Sequence, residues 1–210
     1  MRTDFNCKDL VVLTADKDMK LLVQGLLTRP EDLNIQPVSA EFFIHPEHDP
    51  GCLLRADDFL RPFYSRFQYA IVMFDREGCG REAYPAERLE LGVKDRLRKS
   101  GWSDRASAIA IDPELENWVF SDSEAVDAAL GWTGRNPSLR SWLKKRGYFK
   151  KDQSKPTRPK EAMLEALREV KIPRSSSIFG QLARNVNFEG CTDRAFLKFK
   201  NTLQAWFKPI

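Results

Sequence analysis

Residues Tyr69 to Gly80 read YAIVMFDREGCG. An apolar run, Tyr69 to Phe74, stops abruptly at Asp75, Arg76 and Glu77, and Gly78 and Gly80 follow within three residues. Such a run predicts a fully buried strand of a parallel sheet. Its acidic end then falls where open α/β sheets bind their ligands, at the carboxyl ends of the strands. If strand geometry persists past Asp75, the alternation Asp75-x-Glu77 sets both carboxylates on one face. Two acidic groups that close ionise together in poor solvent only around a cation. Mg²⁺ is the natural hard ion for them. The plainer alternative is that Asp75 caps a turn, Glu77 is solvated and the glycines only turn the chain.

Outward from that stretch the same arrangement recurs. Lys8 to Thr14 (KDLVVLT) predicts a first buried strand, broken by Ala15-Asp16-Lys17-Asp18. Met19 to Leu27 follows with apolar residues at helical spacing, and Arg29-Pro30 stops it, the opening of a βαβ unit. Val38 to Ile44 predicts a second strand. The segment His45 to Gly51 (HPEHDPG) reads as a loop in which His45, Glu47, His48 and Asp49 either ligate a metal or are solvated. Asp57 to Phe67 reads as a helix despite Pro62, and Pro85 to Ser100 as an amphipathic helix capped by Gly101. Ala106 to Ile111 predicts another buried strand, ending in Asp112-Pro113-Glu114-Leu115-Glu116. Three hydrophobic strands thus terminate in carboxylates, and parallel pairing sets all three ends on one sheet edge.

After Trp118 the pattern is helical: Ser123 to Leu130, Ser138 to Arg146, Pro159 to Val170, Ser175 to Asn185 and Thr192 to Phe207. The organisation expected is an α/β domain over residues 1–130 and a helical extension with a basic linker over 131–210. Between Gly131 and Lys160 ten cations face the single anion Asp152, in a chain whose formal charge is only +4. The remainder is therefore net acidic. Trp142, Tyr148 and Phe149 lie among Lys144, Lys145, Arg146, Lys150 and Lys151. Cations neutralise phosphates and aromatic faces stack on bases, so nucleic acid is the expected partner, against the alternative of a solvated helix face. Phe207 and Ile210, at the end of the chain, look exposed and suit a docking surface.

The chain is 210 residues long, 42% hydrophobic and 30% charged. It has no stretch of membrane-spanning length and no apolar signal core at its start, which makes a cytoplasmic location the expectation. The four cysteines are scattered, without zinc-site spacing, and no Walker loop provides for ATP.

Strand, acidic turn and helix, then a strand ending in Asp-x-Glu-Gly, then Pro113 to Trp118 (PELENW), together resemble the TOPRIM-like fold of topoisomerases, bacterial primases and overcoming-lysogenization-defect nucleases. Ser177 to Ala183 (SIFGQLA) and Cys191 to Phe196 (CTDRAF) are similar to elements of small bacterial TOPRIM-like proteins found in defence and mobile-element contexts. The resemblance implies a Rossmann-like, mostly parallel sheet flanked by helices. It implies a Mg²⁺- or Mn²⁺-dependent nuclease acting in anti-phage defence, with Asp16, Asp75 and Glu77 catalytic and Asp16, Asp75, Glu77 and Glu116, with Glu114 beside it, around the metal. No tyrosine fits a topoisomerase nucleophile, so hydrolysis by metal-activated water is the implied chemistry. It also implies a partner, an ATP-hydrolysing or other defence protein. One departure stands out: the first strand of the family ends in glutamate, and Ala15 occupies that position here. The alternative function is accordingly a weakened TOPRIM-like binding or sensor module docked on a defence partner.

Overall fold

The structure is a computed structural model, and it describes residues 7–121, 123–189 and 191–209. Four parallel strands form one sheet in the order β2-β1-β3-β4, with β1 at Lys8–Thr14, β2 at Ala40–Ile44, β3 at Phe67–Asp75 and β4 at Ala106–Ile111. Val12 of β1 stands opposite Phe42 on one side and Ile71 on the other, and Met73 of β3 stands opposite Ile109. The fold is α/β and Rossmann-like, as the buried apolar runs require: both faces of the sheet are covered.

The period-2 alternation divides the strand residues between two cores. Leu10, Val12, Ile71, Met73, Ile109 and Ile111 pack with α1 (Lys17–Leu27) and with helices from the second half of the chain. Val11, Leu13, Ala70, Val72, Phe74, Ala106, Ala108 and Ala110 pack with α3 (His48–Leu60) and α4 (Ala86–Leu97). The short α2 (Pro30–Leu33) joins α1 to β2. After β4 come α5 (Glu116–Val119), α6 (Glu124–Ala129), α7 (Leu139–Lys145), α8 (Pro159–Glu169), α9 (Ser177–Asn185) and α10 (Arg194–Trp206). Residues of α8, α9 and α10 belong to the same hydrophobic cluster as the first sheet face. The helical second half therefore supplies one layer of the sheet's cover.

Two helices meet backbone to backbone. A Cβ on Gly25 of α1 would stand 2.7 Å from the Cβ of Ala183 and 2.9 Å from the carbonyl oxygen of Gly180, both on α9. Only the absence of a side chain permits that approach.

Three expectations are corrected. The helix expected over Asp57 to Phe67 begins earlier, at His48, and ends at Leu60, before a 3₁₀ turn over Arg61–Phe63. Pro50 lies in the first turn of α3, where a missing N–H costs nothing, whereas Pro62 falls beyond its end. Phe67 is the first residue of β3 rather than the last of a helix. The helix α4 stops at Leu97, and a wide turn over Arg98–Trp102 carries Gly101 at φ 105°. Finally, Phe207 is not exposed: it is 2% accessible, edge-on to Tyr69 at 5.3 Å, while Trp206 stacks on the same ring at 4.5 Å. Apolar burial against β3 outweighs any docking role for it. Ile210 lies outside the described residues. Among the described residues no helix is long and apolar enough to cross a membrane.

Candidate functional site at the carboxyl edge of the sheet

Because β1 pairs with β2 on one side and β3 on the other, the chain reverses its direction of winding between β1 and β3. Ligand crevices of open α/β sheets lie at such a point. Four segments bring acids to it: Ala15-Asp16 after β1, the first turn of α3 after β2, Asp75 at the end of β3, and Asp112 to Glu116 after β4.

Asp75 is the most constrained of them. Its backbone N–H donates to Asp49 Oδ1 at 2.8 Å, while its own Oδ1 is buried without a hydrogen-bond partner among the described residues. Burial pushes its carboxyl well above the usual carboxylate range, and Asp49, Glu116, Asp16 and Glu114 push it further. Asp49 is itself raised, first by burial and then by Asp16, against the hydrogen bond from Asp75. These acids sit close enough to feel one another, with too little water to screen them.

Asp16 caps α1, its Oδ1 accepting from Met19 N–H at 2.8 Å. Burial raises its pKa more than that bond lowers it, with Asp18 adding to the rise. Ala15 is 1% exposed and packs in the core, and His48 Nδ1 lies 3.0 Å from its carbonyl oxygen. Glu116, 3% exposed, is raised by burial first and by Glu114. Cations temper this field. Arg174, from the connection between α8 and α9, pairs with buried Asp18 and stands 3.4 Å from Glu116. Lys160 pairs with Glu114 at 3.3 Å.

Glu77 stands apart. β3 ends at Asp75, so strand alternation does not carry Glu77 onto its face; Glu77 is exposed, its backbone N–H donating to Pro113 O at 3.3 Å. The turn is closed instead by Glu82, whose Oε1 accepts from Gly78 N–H at 3.0 Å and Gly80 N–H at 2.9 Å, and by Arg76 on Asp112 at 2.9 Å. Among the described residues no three His, Cys, Asp or Glu side chains stand close enough to cage a metal ion.

The basic segment follows on α7 and the loop after it. Lys144, Lys145, Lys150 and Lys151 are exposed. Arg146 pairs with Glu165 at 2.8 Å and lies over the Trp142 ring at 4.1 Å. Tyr148 is 7% exposed and bonded to Glu165, and Trp142 packs on Trp132 at 4.8 Å. The aromatics expected to stack on bases are thus partly taken up by the core.

The sequence reading names Asp49 as a possible metal ligand but misplaces it, and it misses Arg174. Asp49 lies in a proline- and glycine-rich stretch that reads as a loop, yet it opens a helix and reaches Asp75. Arg174 stands alone between helices, and no local pattern connects it with acids 58 and 156 residues away. No family model matches the chain, and no curated protein or solved structure matches it either.

Proposed function

We propose that this sheet edge is the phosphodiester-cleaving centre of a TOPRIM-like nuclease that serves anti-phage defence. The observation that carries the reading is Asp75 Oδ1, buried without a partner in the field of Asp49, Asp16, Glu116 and Glu114. An orphaned oxygen in a concentration of negative charge fits a hard cation, Mg²⁺ or Mn²⁺. Such ions are commonly held by one or two carboxylates, with waters and substrate phosphate completing the shell, so a preformed three-residue cage is not required. Asp75 would hold the ion with Asp49, and Asp16 and Glu116 would complete the acidic wall. The ion supplies a Lewis acid for the phosphoryl oxygen and an acidified water. The chain's own residues do the positioning. Asp49 fixes the end of β3 through the Asp75 amide, the α1 cap orients Asp16, and Lys160 and Arg174 offer positive charge to the phosphate. Lys144, Lys145, Arg146, Lys150 and Lys151 hold the strand electrostatically.

A second reading, a binding or sensor module of the same fold with a weakened centre, is favoured by two observations. Ala15 is buried where the family has glutamate, and Arg174 already neutralises Asp18 and approaches Glu116. In either case an ATP-hydrolysing partner would provide the switch that the chain has no Walker loop to provide.

Thermal unfolding with millimolar Mn²⁺, together with cleavage of labelled oligonucleotides, separates the two. The nuclease reading expects a metal-dependent rise in Tm and cleavage, both abolished in Asp75→Asn. Nucleic-acid binding without either response would establish the binding module. Phage protection by this chain alone, equal to that with its partner, would exclude the switch.

A further inference from the structure

Beyond the acidic edge, α5 runs directly into a cavity of about 320 Å³ between α1, α9 and the basic loop. Its floor is apolar, built from Leu22, Leu26, Leu182 and Val186, and its walls carry the aromatic residues Trp118, Phe120 and Phe188. Arg140 and Lys155 line it from the basic segment, and Ser121, Asn187 and Thr192 add hydrogen-bonding groups. The Ser121 hydroxyl is buried and has no hydrogen-bond partner among the described residues. Hydrogen-bonding groups set among apolar and aromatic walls suit a ligand with a ring face and polar atoms of its own.

We propose that this cavity receives one unpaired base of a single-stranded nucleic acid, with the adjoining phosphate on Lys155 beside Arg140. The inference rests on the nucleic-acid part of the proposed function and specifies its substrate class. The cavity lies at the small end of ligand sites, roughly 300–1,000 Å³, which suits a single nucleotide unit. An acyl chain would fill the floor but make no use of the polar wall and its cations, whereas a base presents an aromatic face and a polar edge together. Position adds a third argument. Trp118 lies two residues beyond Glu116, and Arg140 Nη1 donates to Ser154 O at 2.7 Å, binding the basic loop to the cavity's rim. A strand held by its base here would run along the basic loop toward Lys160, in the first turn of α8, which pairs with Glu114 at the acidic edge.

The cavity contains its own reporter. Cys191 lines it and is partly accessible, while Cys52 and Cys79 are buried, so Cys7→Ser leaves Cys191 as the accessible thiol among the described residues. The test is the rate of Cys191 alkylation in that variant, with EDTA present to prevent cleavage. The probes are a short single-stranded oligonucleotide, an abasic strand of the same length, and the corresponding duplex. The single strand should protect Cys191, the duplex should not, and the abasic strand should bind about fivefold or more weakly. Lys155→Ser should weaken binding of the intact strand. Phe188→Leu, which keeps the cavity apolar, should narrow the gap between intact and abasic strands. Equal protection by abasic strand or duplex overturns the base-binding site. So does oligonucleotide binding that leaves Cys191 unprotected. Manganese-dependent cleavage, measured separately on the same protein, shows whether the nuclease reading survives that failure. If no strand binds at all, the base site and the nucleic-acid partner fall together.

Discussion

Asp75 and His45 both pay in free energy for being buried, in opposite directions. With its carboxyl pushed up by burial and by four neighbouring acids, Asp75 lowers stability at neutral pH whenever no cation is bound, either as a buried charge or through the proton it must take up on folding. Asp75→Asn should therefore raise the metal-free unfolding midpoint while abolishing any rise with Mn²⁺; a lower midpoint in both conditions would mean that the carboxylate is needed for packing alone. His45 is 4% exposed, and its Nδ1 accepts from Glu47 N–H at 3.1 Å, a bond that requires the neutral ring. Burial lowers its pKa, Arg55 and His48 lower it further, and Glu47 opposes them; Phe59 packs against the ring at 5.4 Å. The unfolded chain then binds the proton more readily than the folded one. The contribution of His45 to stability is whole above the ordinary histidine pKa, and is lost as pH falls from there through the lowered one. Asp16 and Asp49, raised instead, act with the opposite sign over their own range, so the comparison must be differential. Urea midpoints of wild type and His45→Gln should diverge least at pH 5 and most near pH 8. A constant difference across that range would remove the histidine from the account. At this scale the sequence reveals which residues are acidic and at which strand ends, because composition and hydrophobic runs are local. It conceals that Asp49 bonds the Asp75 amide, since that bond depends on how α3 returns to the sheet.

The elements themselves are largely legible where burial is uniform. β1 and β4 run over the residues their apolar runs mark out, since a strand covered on both faces needs an unbroken apolar run. The start of α3 is not, because His45 to Gly51 carries turn residues whose local preference is overridden once Pro50 falls in a first helical turn. Nor is the fate of Phe207, since an aromatic at the end of a helix reads the same whether it faces solvent or a tyrosine on β3. The approach of α1 to α9 is a matter of backbone clearance, which yields a sharp expectation. Gly25→Val should destabilise by about 1–3 kcal/mol through overpacking, read as a lower urea midpoint at unchanged slope. α10 is fastened differently. Glu90, 3% exposed, accepts from Ala110 N–H at 2.8 Å and from Arg194 at 3.0 Å, and pairs with Lys198 at 2.8 Å. Removing one partner of a buried pair leaves the other uncompensated, so Glu90→Ala should cost about 3–5 kcal/mol, and a change within experimental error would show the network to be solvated.

Across the whole molecule, acidic and basic regions are separate: the sheet edge gathers the carboxylates, while the segment after α6 gathers cations. Charge runs are visible in any sequence, so the basic arm is legible. The convergence of Arg174 and Lys160 on the acids is not, because it arises from how α8 and α9 fold back. Replacing Lys144, Lys145, Lys150 and Lys151 with serine should weaken oligonucleotide binding and flatten its dependence on salt, by about 0.7 in the logarithmic slope for each phosphate of a single strand that is no longer neutralised. An unchanged slope would place those lysines away from the nucleic acid. The lock around Glu90 also has a meaning for molecules in a crowd. β4 ends the sheet, and a neighbouring chain could add a strand only by bonding its outward-facing backbone groups. Ala110 offers neither: Glu90 takes its N–H, and Arg194 holds its carbonyl oxygen at 2.7 Å. Opening that lock would leave a bare strand margin on every molecule in solution, a template for stacking copy upon copy into fibrous aggregate.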